Sequence, residues 1–407
     1  MTVYHVDNGL IKDADNNPIM LRGVHMYVCK QNEQEKYTKA ATMGANVVRL
    51  AFWKNAVEGY GASGSPCSDG IASLDAAIGY AKNAGLRVIL DDHFWSYLGS
   101  TATEWPPYTF FTDQNLIQSW FDMWLMLADR YKNNDTVIGI DPYNEPYAIT
   151  GTQVGDYAYW EPMVENLIDQ LAVVNPNLLF FPSGWGSLTS LWHDMDYLAA
   201  TPNIVLQEHI YLNVKTAEWF TARYTPYINA GIPIMLGEVG WTLVPDETSW
   251  MDARLDFFDS LGLHYCLFCF GVGSWNLAWD VAPSSPYTLN TIGEIYKDHL
   301  ERMAKMSTTV NLTGISSGNL ATDPVTVTAV ADKPLLFDSI VVNYVSPQAT
   351  GNIVLTPKVD AEGVAVITVT VKNDKPTKNT TVKTFKATLV KLGVPAIDNI
   401  ADVTVYS

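Results

Sequence analysis

From Ile19 to Trp275 the chain alternates short apolar runs with longer segments whose apolar residues recur at helical spacing. The runs are IMLRGVHM (19–26), ANVVRLAF (45–52), RVILDDHF (87–94), VIGIDPYNEP (137–146), LLFFPSG (178–184), IVLQEHIY (204–211), IPIMLGEVG (232–240) and HYCLFCFGVGSW (264–275). Between most of them lie helical candidates: SLDAAIGYAKNAG, IQSWFDMWLMLADRYKNN, WEPMVENLIDQLAVVN, EWFTARYTPYINAG and MDARLDFFDSLG, with Gly or Asn after several ends. Eight strand-then-helix alternations in about 290 residues predict an α/β fold, a (β/α)8 barrel. An open doubly wound sheet would need a nucleotide site, and no GxGxxG or GxxxxGK follows any strand.

The pattern changes near residue 305. VTVTAV, SIVVNYV, VAVITVTV, TVKTFKATLV and IADVTVY alternate at period two between Gly, Pro, Asn and Asp turns, which predicts a small immunoglobulin-like β-sandwich. The domains expected are therefore 1–305 and 308–407. All 13 tryptophans lie in the first, and the tail offers only Phe337, Tyr344, Phe385 and Tyr406 as aromatics. A sugar-binding module presents planar aromatics, so a structural or accessory role is the reading preferred for the tail.

Composition narrows the function. The net charge is −18, which repels nucleic acid and anionic membrane surfaces, and the tail's eight lysines and eight acids place that imbalance in the first domain. No stretch reaches the roughly 20 apolar residues of a membrane helix. The four cysteines fit no metal site: Cys266 and Cys269 sit in an apolar run, and Cys29 and Cys67 are isolated, their pairing left undecided. The opening MTVYHVDNG lacks the basic-then-apolar pattern of a signal peptide, so secretion is expected with the leader absent from this chain.

In a (β/α)8 barrel, chemistry sits at the carboxyl ends of the strands. Here those ends carry Arg49, then Asp91, Asp92 and His93, then Asn144 and Glu145, then Glu208, His209 and Tyr211, then Glu238, and finally Trp275. Glu145 and Glu238 would face one another across the mouth, an arrangement suited to acetal hydrolysis with one carboxyl as acid/base and the other as nucleophile. The acid needs a raised pKa and the nucleophile a lowered one. Arg49, His93, His209 and Tyr211 are the candidate donors that keep Glu238 ionised, and Asn144 the candidate partner of a sugar 2-hydroxyl.

The ordered series LRGVH, NVVRLAFW, LDDHF, YNEP, EHIY and GEVG resembles glycoside hydrolase family 5, the cellulase family, from residue 3 to about residue 300. Its opening segment DNGLIKDADNNPIMLRGV is similar to the hairpin that closes the barrel bottom in that family. The resemblance implies Glu145 as acid/base, Glu238 as nucleophile, and Arg49, His93, Asn144, His209 and Tyr211 as their supporting shell. It also implies a tryptophan under the sugar at the end of the last strand, for which Trp275 is preferred over Trp279. His25 stands where many relatives have Asn.

Sugar rings stack on aromatic faces, and tryptophans in loops after strand ends are the candidate platforms, Trp53 and Trp185 first among them; Trp120 and Trp124, four apart on a helix, read as core. So many platforms favour a long cleft and a β-linked polysaccharide. The expectation is a retaining endo-β-1,4-glucanase without a cofactor, most simply a monomer. The alternatives are a β-1,4-mannanase or other β-glucanase, and, from another class, a carbohydrate-binding protein that no longer catalyses.

Overall fold

The structure is a computed structural model that describes residues 4–404 except 15–17, 29–33, 54–56, 58–69, 95–113, 147–156, 186–190, 211–215, 241–247, 272–280, 283–284, 306–307, 318–322, 359–360, 362, 374–378, 392–394 and 399–402. Two compact units divide the chain: Met1–Arg254 with Leu261–Lys297, and Leu255–Ser260 with Asp298–Ser407.

The first unit opens with a hairpin of β1 (His5–Asp7) and β2 (Leu10–Lys12). Asn8 and Gly9 take positive φ at its tip, the requirement of a two-residue turn that follows the strand twist. Eight strand–helix units follow: β3 (Arg22–Tyr27) and α1 (Gln34–Thr42), β4 (Val47–Trp53) and α2 (Ile71–Asn83), β5 (Arg87–Phe94) and α3 (Gln114–Tyr131), β6 (Val137–Asp141) and α4 (Tyr157–Val174). The series continues with β7 (Leu179–Phe180) and α5 (Met195–Ala200), β8 (Leu206–Ile210) and α6 (Ala217–Asn229), β9 (Ile234–Val239) and α7 (Thr248–Ser260), β10 (His264–Leu267) and α8 (Thr291–Lys305), of which Leu255–Ser260 in α7 and the part of α8 from Asp298 group with the second unit.

The strands are parallel in the order β7-β6-β5-β4-β3-β10-β9-β8. Bridges Phe180↔Ile204 and Ser183↔Gln207 join β7 to the β8 side, which closes the (β/α)8 barrel. Its floor is apolar. Val47, Ile89, Ile138, Leu179, Val205, Met235 and Cys266 form one buried cluster with Tyr4, Ile11 and Leu21, so the hairpin region plugs the amino-terminal end of the strands. Trp120 and Trp124 are fully buried, as their helical spacing predicts.

The second unit carries two four-stranded sheets. One orders β13 (Phe337–Asn343), β14 (Thr350–Pro357), β11 (Thr308–Thr313) and β18 (Val403–Thr404). The other orders β12 (Val325–Ala331), β15 (Gly363–Asn373), β16 (Thr380–Lys391) and β17 (Pro395–Asp398). Alternate residues such as Leu312, Ile353, Leu355, Ile367 and Val369 share one buried core. Phe337 is buried within it, Tyr344 and Phe385 are half-buried, and Tyr406 lies outside the described residues. Among the described residues no helix is long and apolar enough to cross a membrane.

Candidate active site

Along a strand, alternate residues share a face. The column that begins in the apolar floor therefore continues toward the mouth as Val47, Arg49 and Ala51 on β4, as Ile89, Asp91 and His93 on β5, and as Val205, Gln207 and His209 at β8. Strict alternation from Met235 would aim Gly237 inward and Glu238 outward. Instead the β8–β9 register slips by one residue, with Glu208 opposite Leu236 and His209 opposite Glu238. The extra residue is Gly237, where an added Cβ would lie 2.6 Å from Gln207 Oε1. A bulge of this kind re-aims a side chain, and here it turns the Glu238 carboxylate into the mouth.

Arg49, fully buried, organises that mouth. Its Nη1 donates to Glu238 Oε1 at 2.8 Å and to His25 Nδ1 at 2.9 Å; its Nη2 donates to Asn144 Oδ1 at 2.9 Å and Asp141 Oδ2 at 2.6 Å; its Nε also donates to Asp141 Oδ2. One guanidinium thus holds the nucleophile candidate and Asn144 in fixed relation. His93 Nδ1 donates to Asp91 Oδ2 at 2.9 Å, and the Tyr27 hydroxyl lies 2.7 Å from His93 Nε2. His93 Nδ1 is 3.7 Å from Glu238 Oε1, too far for a hydrogen bond.

Glu145 follows β6 with φ 46°, a left-handed backbone that non-glycine residues keep only where the surroundings enforce it. His209 Nδ1 lies 2.9 Å from Glu145 Oε1 and 3.6 Å from Glu238 Oε2. One carboxylate oxygen of Glu145, one of Glu238 and a ring nitrogen of His209 all lie within 4.8 Å of one another. The two acids differ in surroundings: the Glu145 side chain is 28% exposed, that of Glu238 3%.

Burial pushes the Glu145 carboxyl up, but the His209 hydrogen bond and charge outweigh it and hold it below its ordinary value. Burial pushes His209 down, and the Glu238 charge with the Glu145 hydrogen bond raises it above an ordinary imidazole. The two shifts run in opposite directions, carboxyl down and imidazole up, so Glu145 is not the raised acid expected from sequence. Burial holds His93 down to about 3, so that ring is neutral.

The structure thus brings Arg49, His93, Asn144, Glu145, His209 and Glu238 together. Tyr211, Trp275 and Trp279 lie outside the described residues, as do Cys29 and Cys67. The last strand closes at Leu267, well before Trp275; the aromatic at its end is Phe268, whose ring centroid lies 4.8 Å from that of His25. Trp53 is half-buried at the mouth, 6.1 Å from the Tyr27 ring. Trp185 is corrected: it is 3% exposed and packs against Trp160, so it offers no open face to a sugar. Sequence reasoning passed over Tyr27, Asp141 and Gln207, and took His25 only as a departure from the family pattern. Each lies on a run already read as a strand or at its neighbour's face, and inward position was the signal that could have found them.

A closed (β/α)8 barrel with two unlike carboxylates at the strand ends is the arrangement that glycoside hydrolysis uses. The chain belongs to glycosyl hydrolase family 5, the cellulase family, whose model matches residues 12–274. It is similar to an endoglucanase of Paenibacillus polymyxa, 28% identical over 48% of this chain and 56% of that one. It is also similar to a mannan endo-1,4-beta-mannosidase of Streptomyces lividans, 24% identical over 64% of each. The chain thus spans between about half and two thirds of the length of these two relatives. Among solved structures it resembles a beta-glucanase of Saccharophagus degradans, with TM-score 0.59 and 19% identity over 74% of this chain and 93% of that one. An endogalactoceramidase matches with TM-score 0.60 and 16% identity over 88% of this chain and 98% of that one.

Proposed function

We propose that the protein is a retaining endo-β-1,4-glucanase that works by double displacement, with Glu238 as nucleophile and Glu145 as acid/base. The carrying observation is the spacing: carboxylate oxygens within 4.8 Å suit direct attack, whereas an inverting pair stands about 6.5–9.5 Å apart to admit a water. Glu238 attacks the anomeric carbon while Glu145 protonates the leaving oxygen; Glu145 then deprotonates the water that cleaves the ester. Arg49 donates to the nucleophile's Oε1 and fixes its position. Asn144, its Oδ1 committed to Arg49, keeps its amide protons for the sugar 2-hydroxyl. His209 shares the donor proton with Glu145 across their 2.9 Å contact. Tyr211 and Trp275 remain assigned to the supporting shell and the sugar platform on the resemblance alone, and Trp53 stands as a platform at the mouth.

Cellulose-type glucan is favoured because the chain is similar to an endoglucanase at 28% identity over 48% of its length. A β-1,4-mannan is the second reading, favoured by the mannosidase match over 64% of the chain. A polymeric substrate implies action outside the cell, to be checked by finding the enzyme in culture medium. The β-sandwich residues 308–407 serve an accessory role.

The test is a reducing-sugar and viscosity assay on carboxymethyl cellulose, glucomannan, galactomannan and xylan. Rapid viscosity loss on the cellulose derivative supports the glucanase; preference for galactomannan transfers the same mechanism to mannan. With an activated aryl glycoside and azide, Glu238→Ala should yield the glycosyl azide of inverted configuration and Glu145→Ala that of retained configuration. Exchange of those two outcomes would reverse the assignment.

A further inference from the structure

Arg49 is surrounded by more negative charge than one guanidinium balances. It donates to Glu238 and Asp141, and its Nη2 lies 3.0 Å from Asp91 Oδ1. Arg49, Asp91 and Asp141 are fully buried and Glu238 nearly so. Three ionised carboxylates around one buried cation leave two charges uncompensated, and acids crowded in this way take up a proton.

The neighbours settle where it goes. His93 Nδ1 donates to Asp91 Oδ2, and Gln207 Nε2 donates to Asp141 Oδ2 at 2.6 Å. His25 offers Arg49 only an acceptor, while His209 faces Glu145 and Glu238. Asp141 Oδ1 is left buried with no hydrogen-bond partner, and Asp91 Oδ1, although 3.0 Å from Arg49 Nη2, receives no hydrogen bond of good geometry. Asp91 and Asp141 are register partners across β5 and β6, so their side chains leave the same face of adjacent strands, roughly 4.8 Å apart along the ladder.

We propose that Asp91 and Asp141 share one proton between their Oδ1 atoms and act as a single positioning pair, with one negative charge, that fixes Arg49 against the nucleophile. Burial pushes Asp91 up to about 6 and Asp141 above its ordinary value as well, in keeping with a shared proton. The pair balances Arg49 when Glu238 is an uncharged ester, and leaves Glu238 with charge to spare when it is free. The proton itself follows from the cluster; its effect on turnover rests on Glu238 being the nucleophile.

Asp141 has one oxygen with three donors and one with none, which is the demand an asparagine meets with its carbonyl and its amide. Asp91 accepts from His93 on Oδ2 and has the Arg49 cation 3.0 Å from Oδ1, where an asparagine amide would set an N–H group against one of them. In the full chain at about pH 5, where ordinary aspartates are ionised, the infrared difference spectrum of wild type minus Asp141→Asn should contain the carbonyl band of a neutral carboxylic acid. Asp141→Asn, which retains the single negative charge of the pair, should lose less kcat than Asp91→Asn, for which a loss of about 10–100-fold is expected. Absence of the band, or equal loss of kcat in both variants, overturns the shared proton. The spectrum needs no substrate, so it distinguishes failure of this inference from failure of the glucanase reading.

Discussion

His209 is the residue on which the pH behaviour turns. Its imidazole is raised above the ordinary value and Glu145 is lowered, so the last proton of the pair leaves from His209. Replacing it by Asn leaves Glu145 to hold the donor proton alone. The alkaline limb of kcat/KM for His209→Asn is therefore expected at lower pH than in wild type, measured on a soluble substrate; an unmoved limb would place the donor proton elsewhere. Glu145→Gln should lower kcat by about 10²–10⁴-fold, the range for a general acid, with a smaller loss on aryl glycosides whose leaving groups need no proton.

At the scale of elements, sequence periodicity located strands well and their ends poorly. The β5 limits coincide with the run at 87–94, whereas the run at 264–275 closes at Leu267 and the one at 178–184 pairs regularly only over Leu179–Phe180. Apolar composition persists past strand ends because the mouth is also buried, so it does not mark where pairing stops. Helix α1, QEKYTKAAT, and the six-residue α5 carry too few apolar positions for a period to stand out. Close packing between strands makes a sharper prediction. A Cβ on Gly23 would lie 2.1 Å from the Val47 carbonyl oxygen, so Gly23→Ala must part β3 from β4. A loss of about 1–3 kcal/mol is expected in denaturant unfolding, with little change if the strands separate freely.

For the whole molecule, composition puts a boundary near residue 305, whereas the compact units divide at Lys297 and Asp298 and the second also takes Leu255–Ser260, because contacts rather than composition define a unit. The sandwich core depends on residues such as Ile367, fully buried on β15. Ile367→Ala should destabilise that unit by about 2–5 kcal/mol. Turnover of a soluble substrate by the folded enzyme should stay the same, since every catalytic group described lies in the barrel; a parallel fall in kcat would tie the sandwich to the site.

By itself the sequence determined the barrel and the all-β region after it, and set two carboxylates at strand ends, because strand period, helix period and polar residues at strand ends are local features that follow directly from residue order. Tertiary structure alone decided the rest. The bulge at Gly237 that turns Glu238 inward depends on register with β8, the burial of Trp185 depends on Trp160 across a helix, and the meeting of Asp91 and Asp141 on one guanidinium depends on three strands closing around Arg49. Register and closure are relations between distant segments, and no periodicity within one segment encodes them.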